Sequence, residues 1–203
     1  MKLYDGGRAP NPRRVRIFLD EKEITVPLEP VDIAKGEHKT TDFTAINPLQ
    51  RIPSLVLDDG TAISESIAIC RYFEALQPDP PLFGRSPVEQ AIVEMWQRRL
   101  EFELLGAVAA VFRHLHPAMA TLEVPQVAPW GEANKGKVES FLHLLDRHLA
   151  NHAFVAGDRF SVADITGLIG IDFMRLPKLP IPAGLDHVKR WHTAIRQRPS
   201  ASA

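Results

Sequence analysis

The sequence has one cysteine, Cys70, and no excess of charge of either sign. With a single thiol, neither an intramolecular disulfide nor a Cys-x-x-Cys dithiol can form, which fits a reducing compartment. The chain carries 24 Lys and Arg against 25 Asp and Glu, a net charge of -1. A protein devoted to nucleic acid needs a basic surface to release counterions from phosphates, so the balance argues against that class.

Long hydrophobic runs are also absent. No window contains the about 20 apolar residues that span a bilayer, and residues 1–6 lack the apolar stretch of a secretory signal. We therefore expect a cytoplasmic protein with no membrane partner. Its 203 residues, 45% hydrophobic and 24% charged, suffice for one or two globular domains without a disulfide or metal.

Prolines divide the chain. Four prolines and a glycine lie between Gln77 and Pro87, where neither a helix nor a central strand can continue. We predict a first domain over 1–77, a linker over 78–87 and a second domain over 88–203.

The first domain mixes β-rich and helical patterns and predicts a small α/β sheet. Pro27 and Pro30 confine the second strand to a sheet edge, and Asp59-Gly60 between two apolar runs indicates a hairpin. The predicted elements are a strand at Lys2–Tyr4, a helix containing Val15, Phe18 and Leu19, a strand at Ile24–Val31, a short helix near Asp42–Ala45, the hairpin Ser54–Ser64, and a helix from Ser64–Ser66 onward.

The second domain shows only helical periodicity. Ser161 and Asp164 have the spacing of a capping box, and Phe160 and Ile165 that of a hydrophobic staple. The predicted helices are Val88–His116, Glu132–Asn151, Val162–Arg175 and Leu185–Gln197.

The strongest chemical signal is Ile52-Pro53, an X-Pro bond directly before a strand. A cis proline there leaves the N–H and C=O of Ile52 unpaired, so that an extended peptide can pair with them. Glu65 and Ser66 stand at a helix start, where free N–H groups and the helix dipole favour a carboxylate. Glu65 adds a partner for an ammonium, and the two groups together describe an amino-acid head. A plain helix cap is the alternative for Ser64-Glu65-Ser66.

These residues resemble the glutathione transferase family, above all its bacterial theta-, beta- and nu-related members. The resemblance runs from Lys2 to Arg198 and has four motifs. They are Asn47-Pro48 through Ile52-Pro53-Ser54-Leu55, Asp58-Asp59-Gly60, Ser64-Glu65-Ser66-Ile67-Ala68-Ile69, and Gly157-Asp158-Arg159-Phe160-Ser161-Val162-Ala163-Asp164-Ile165.

The resemblance implies a thioredoxin-like α/β domain, an all-helical second domain, a homodimer, and glutathione as co-substrate with no metal. Its γ-glutamyl head would meet Glu65 and Ser66, and its cysteinyl backbone would pair with Ile52 ahead of Pro53. The glycyl carboxylate would lie near His38, Gln50 and Arg51. For His38 a solvated loop histidine, and for Arg51 a surface charge, are the alternatives.

The catalytic position departs from the family pattern. Many relatives have Ser or Thr where this chain has Ala9, and Tyr4 is expected in the core. The remaining donor is Asn11, which nu-like members use to stabilise the thiolate; a helix N-cap is its alternative role. Without a hydroxyl, reduction of a peroxide or disulfide is as credible as conjugation to a hydrophobic electrophile.

The resemblance places a hydrophobic second substrate between the domains. The candidate pocket residues are Phe102, Leu105, Val108, Phe112 and His116, and Trp130 is a further candidate. Ordinary core packing is the alternative role for each. Cys70 is expected to be a buried, inert thiol. The eight histidines form no obvious ligand set. A non-catalytic binding or scaffold protein on the same fold is the rival function, favoured by Ala9.

Overall fold

The computed structural model describes residues Met1–Ala203. The chain forms two compact units. The first unit comprises Met1–Leu82 with the terminal Ser202–Ala203, and the second comprises Phe83–Ala201.

The first unit is a four-stranded mixed sheet with helices, as the sequence predicts. Its sheet order is β2-β1-β3-β4; β1 pairs parallel to β2 and antiparallel to β3, and β3 pairs antiparallel to β4. The elements are β1 (Lys2–Asp5), α1 (Pro10–Glu21), β2 (Leu28–Pro30), α2 (Thr41–Ile46), β3 (Ser54–Val56), β4 (Ala62–Ser64) and α3 (Ser66–Leu76).

Strand β2 lies at the sheet edge as expected, but it is much shorter than the predicted Ile24–Val31. Only Leu28–Pro30 pairs with β1. Pro27 and Pro30 have no N–H to donate, so a longer ladder cannot form there. One backbone hydrogen bond lies at each end of the strand, from Leu3 N to Pro27 O (2.9 Å) and from Val31 N to Asp5 O (2.7 Å).

Helices α1 and α3 bury apolar side chains such as Phe18 and Phe73. They also bury two cations, Arg14 in α1 and Lys22 at the C-cap of α1, both 0% exposed. The Lys22 ammonium lies 2.5 Å from a carboxylate oxygen of Glu74 and donates to the carbonyl oxygens of Gln77 (2.7 Å) and Pro80 (2.5 Å). A buried ammonium is tolerated when it is paired and hydrogen-bonded in this way.

The second unit is helical. Its elements are α4 (Pro87–Arg99), a π-helical segment (Leu100–Leu105), α5 (Gly106–Leu115), α6 (Ala128–Leu149), α7 (Val162–Phe173) and α8 (Asp186–Arg196). The prediction of one regular helix over Val88–His116 is therefore wrong in one respect, because a π-helical turn separates α4 from α5. The prediction of a start at Glu132 is also wrong, since α6 begins four residues earlier.

The predicted capping box is present at the start of α7. The Asp164 carboxylate accepts from Ser161 N (2.9 Å) and Ser161 Oγ (3.0 Å). It also accepts from Val155 N (2.8 Å) and Trp191 Nε1 (2.9 Å). One fully buried carboxylate thus ties the start of α7 to a preceding loop and to α8. Burial raises the pKa of Asp164 to about 6, an effect that these donors oppose.

None of the helices has both the length and the apolar character that crossing a bilayer requires.

Candidate functional site

The main chain at Ile52 is the centre of the candidate site. The Ile52–Pro53 peptide bond is cis, as the sequence predicts. Strand β3 begins only at Ser54, and neither the N–H nor the C=O of Ile52 has a hydrogen-bond partner in the chain. Gly6 packs against this turn so closely that a Cβ atom on it would lie 1.7 Å from Ile52 Cδ1. A larger residue at position 6 would therefore displace the Ile52 side chain.

Asn47 holds the turn from behind. It is 2% exposed, and its Nδ2 donates to Arg51 O (2.8 Å) and Ser54 Oγ (3.2 Å). Its Oδ1 accepts from Leu49 N (3.1 Å). Asn47 was not among the predicted site residues, although Asn before Pro48 is a typical turn signal. Asn47 fixes the carbonyl group next to Ile52 and so defines the direction of the unpaired groups.

The start of α3 lies beyond the hairpin. The first helical bond there runs from Ile69 N to Glu65 O (3.0 Å), so the N–H groups of Ser66, Ile67 and Ala68 have no helical acceptor. Glu65 is exposed, and its backbone has φ 70°, a region that non-glycine residues rarely occupy. Such strained residues cluster at ligand sites.

Ser66 is 6% exposed, and its hydroxyl oxygen accepts from Arg14 Nη1 (3.1 Å). Arg14 was not among the predicted site residues. Its burial was the missed feature.

A basic corner forms around His38, in the short 3₁₀ turn Glu37–Lys39. Burial lowers the pKa of His38, and the charges of Lys39 and Arg51 lower it further, so both cations lie near the ring. The His38 Nδ1 atom is buried without a hydrogen-bond partner. Lys39 was not among the predicted residues. Of the predicted ones, Gln50 has part of its amide occupied, because its Nε2 donates to Thr44 Oγ1 (3.0 Å).

Asn11 is the second residue of α1, and it is exposed. Ala9 occupies the N-cap position, so the alternative role of Asn11 as the N-cap is wrong. Pro10 and Pro12 have no N–H, and Arg13 N already bonds to Ala9 O (3.2 Å). The first turn of α1 therefore offers two kinds of free donor, the backbone N–H and the side-chain amide, and both belong to Asn11.

The loop before α1 is held by Asp5 and Arg16. The Asp5 carboxylate accepts from Gly7 N (2.8 Å) and forms an ion pair with Arg16. Arg16 Nη2 also donates to Gly7 O (2.8 Å). These bonds hold both the N–H and the C=O of Gly7, and they fix the direction in which the chain approaches Asn11.

The predicted pocket residues differ in accessibility within the second unit. Leu105 is 8% exposed and Val108 is 0% exposed, as expected of core packing. Phe102 is 58% exposed on the π-helical segment. The Phe112 ring contacts that of His116, with centroids 4.9 Å apart. Trp130 is 56% exposed.

Cys70 is fully buried, and burial raises the pKa of its thiol to about 12. The predicted burial of this thiol is confirmed. The structure holds no group of three or more His, Cys, Asp or Glu side chains arranged to hold a metal ion.

An α/β domain with a cis-proline turn, followed by a helical domain, is the fold of one known class. The family model "Glutathione S-transferase, N-terminal domain" matches residues 9–76, and "Glutathione S-transferase, C-terminal domain" matches residues 104–199. The chain therefore belongs to the glutathione S-transferase family, and the predicted fold class is confirmed.

Individual relatives agree. "Glutathione S-transferase 2" of Saccharomyces cerevisiae is 38% identical over 203 residues, covering 98% of this chain and 87% of that protein. The crystal structure of a glutathione S-transferase domain-containing protein from Marinobacter aquaeolei is 44% identical with a TM-score of 0.95, covering 98% of this chain and 99% of that one. "Elongation factor 1-gamma 2" of Oryza sativa is 30% identical over 165 residues, covering 80% of this chain but 38% of that protein.

Proposed function

We propose that this protein is a glutathione transferase that binds glutathione along the main chain of Ile52 and stabilises its thiolate. The observation that carries the proposal is the unpaired N–H and C=O of Ile52, next to cis-Pro53. An unpaired N–H and C=O pair at the end of a strand accepts an extended peptide backbone as a short added strand. The names of the two glutathione S-transferase relatives given above support glutathione as that peptide.

We assign the two ends of the tripeptide to the two polar regions described above, the start of α3 and the basic corner around His38. The γ-glutamyl carboxylate would meet the Ser66 hydroxyl and the free N–H groups of α3, where the helix dipole favours an anion. Its ammonium would meet the exposed Glu65 carboxylate. The glycyl carboxylate would meet the basic corner of His38, Lys39 and Arg51, near Gln50.

The Asn11 donors would act on the sulfur. A free thiol has a pKa of about 8.5 and is mostly protonated at neutral pH. Two N–H groups aimed at sulfur, together with the dipole of α1, favour the thiolate and so lower that pKa. The sulfur electron pair then forms a carbon–sulfur bond, the leaving group departs with its bonding electrons, and the thiol proton passes to solvent.

Hydrophobic electrophiles are the proposed second substrates, with the exposed Phe102 and the Phe112–His116 pair as candidate contacts. Reduction of a peroxide or disulfide would use the same thiolate with sulfur or oxygen as the atom attacked. The alternative function is non-catalytic binding. Ala9, which supplies no hydroxyl, and the relatives named elongation factor 1-gamma favour it.

We also propose that the protein acts as a homodimer in the cytoplasm. Val88, Ile92 and Met95 form an exposed apolar stripe at helical spacing along α4. An exposed apolar stripe of this kind is typical of a protein–protein contact.

The thiolate itself tests the function. We expect the ultraviolet absorbance of the thiolate, followed against pH in a mixture of protein and glutathione, to place the pKa of the bound thiol at least about one unit below 8.5. S-methylglutathione, which has no thiol, should displace glutathione from the protein. The displaced glutathione should then titrate with the pKa of the free thiol, so that the pKa shift disappears. If the bound thiol titrates like the free one while glutathione still binds, the non-catalytic function is correct.

The ligand pose is tested at Glu65. We expect Glu65→Ala to weaken glutathione binding about 10-fold or more by calorimetry, because a charge-assisted hydrogen bond to the ammonium is lost. Glu23→Ala is the matched control, since Glu23 is also exposed and has φ 55°. Both variants should change the backbone preference equally, but only Glu65→Ala should lose affinity. Equal affinities in the two variants would refute the pose.

A further inference from the structure

Two fully buried cations belong to this part of the chain, Arg14 within α1 and Lys22 at the C-cap of that helix. Lys22 has an evident structural partner in Glu74, with two linker carbonyl groups. Arg14 instead donates through Nη1 to the hydroxyl of Ser66, 52 positions later in the chain. One buried cation therefore secures the fold, whereas the other contacts a residue of the candidate glutathione site.

The chemistry of this hydrogen bond has a direction. A guanidinium group only donates, so the Ser66 oxygen must act as the acceptor. The hydroxyl proton of Ser66 is then free to point away from Arg14, toward a ligand acceptor at the start of α3. A hydroxyl that accepts from a cation is polarised and becomes a better donor.

Charge adds to this effect. Arg14 has no exposed surface, so salt in the solvent screens its charge poorly. Arg14 thus places a positive charge directly behind Ser66, in the same direction as the dipole of α3.

We propose that Arg14 is a positioning residue for glutathione binding, which orients and polarises the Ser66 hydroxyl toward the carboxylate of the γ-glutamyl end. The proposal rests on the proposed function. Arg14 does not contact the ligand in this proposal, but it contributes to the affinity for the γ-glutamyl carboxylate.

A cycle between protein and ligand tests this role. The two ligands are glutathione and γ-aminobutyryl-cysteinyl-glycine, which lacks only the γ-glutamyl carboxylate. The wild-type protein should prefer glutathione about 30-fold, the worth of a charge-assisted interaction. In Arg14→Met the preference should fall to about 3-fold, while Arg14→Lys should recover most of it. Lys22→Met is the matched control, because it removes the other of the two buried cations and should keep the 30-fold preference.

The outcomes separate the two proposals. If the wild-type protein binds neither ligand, the proposed function fails. If it prefers glutathione and Arg14→Met weakens both ligands equally, the function stands and Arg14 has only a structural role. If Arg14→Met does not fold, Arg14→Gln replaces it, because glutamine keeps an amide donor but carries no charge. A preference in Arg14→Gln well below that of Arg14→Lys supports the proposal, and equal preferences in the two variants overturn it.

Discussion

Replacing Asp164 by alanine is expected to lower the free energy of unfolding by about 4 kcal/mol. The substitution removes a buried acceptor and strands the N–H groups of Val155, Ser161 and Trp191. Each buried donor left without a partner costs about 1–3 kcal/mol, partly offset because a buried charge disappears as well. Urea denaturation of the purified variants measures the change.

Asp158→Ala is the control for this experiment. Asp158 is exposed in the turn before α7, so its removal should change stability by no more than about 0.5 kcal/mol. Comparable losses in the two variants would show that negative charge near the helix start, rather than the buried hydrogen-bond network, is responsible.

The pH dependence gives a second readout of Asp164. Its pKa is raised by burial to about 6, so the folded state binds this proton more tightly than the unfolded state, whose pKa is near 3.8. The contribution of this proton to stability is complete below about pH 4 and is lost as the pH rises through 6. The stability advantage of the wild-type protein over Asp164→Ala should therefore shrink over that interval.

Replacing Asn11 by alanine is expected to lower turnover about 100-fold, the usual cost of removing one donor from an anion-stabilising site. The backbone N–H of residue 11 survives the substitution, so residual activity should persist. The pKa of the bound glutathione thiol should rise toward its free value, because the thiolate loses a donor. Stopped-flow absorbance with an aryl halide measures turnover, and titration of the thiolate measures the pKa.

Asn151→Ala serves as the control, since Asn151 is an exposed asparagine beyond the end of α6. It should leave turnover and the thiol pKa unchanged. Should Asn11→Ala behave in the same way, the thiolate is stabilised by other groups, and Asn11 has no part in the mechanism.

The parts of the fold that could be predicted rest on local chemistry. The Asp59-Gly60 turn, the Ser161–Asp164 capping box and the proline at 53 each involve residues a few positions apart, whose interaction needs no knowledge of the rest of the chain. The edge position of β2 followed from Pro27 and Pro30 for the same reason. The length of β2 did not, because it depends on how many carbonyl groups of one strand can find donors on another.

The parts that could not be predicted depend on distant contacts. The burial of Arg14 and Lys22 on either side of Phe18 is one example. In a sequence, cations at such positions are usually expected to face solvent. Their partners Ser66 and Glu74 belong to α3, more than 50 positions later. Lys39 follows His38 directly, but it is the fold that brings Arg51 to the same ring and so makes a basic corner of the three residues.

The π-helical segment between α4 and α5 has a consequence for insertions and deletions among homologous chains. Each residue of a regular helix advances the direction of its side chain by about 100°, and the π-helical segment Leu100–Leu105 accommodates surplus length without breaking the helix. Deleting one residue there would let α4 run straight into α5, whereas the same deletion inside a regular helix would rotate every later side chain by roughly that angle. Buried positions such as Val108 would keep their places, so homologous chains can gain or lose a residue at this joint while the scaffold stays the same.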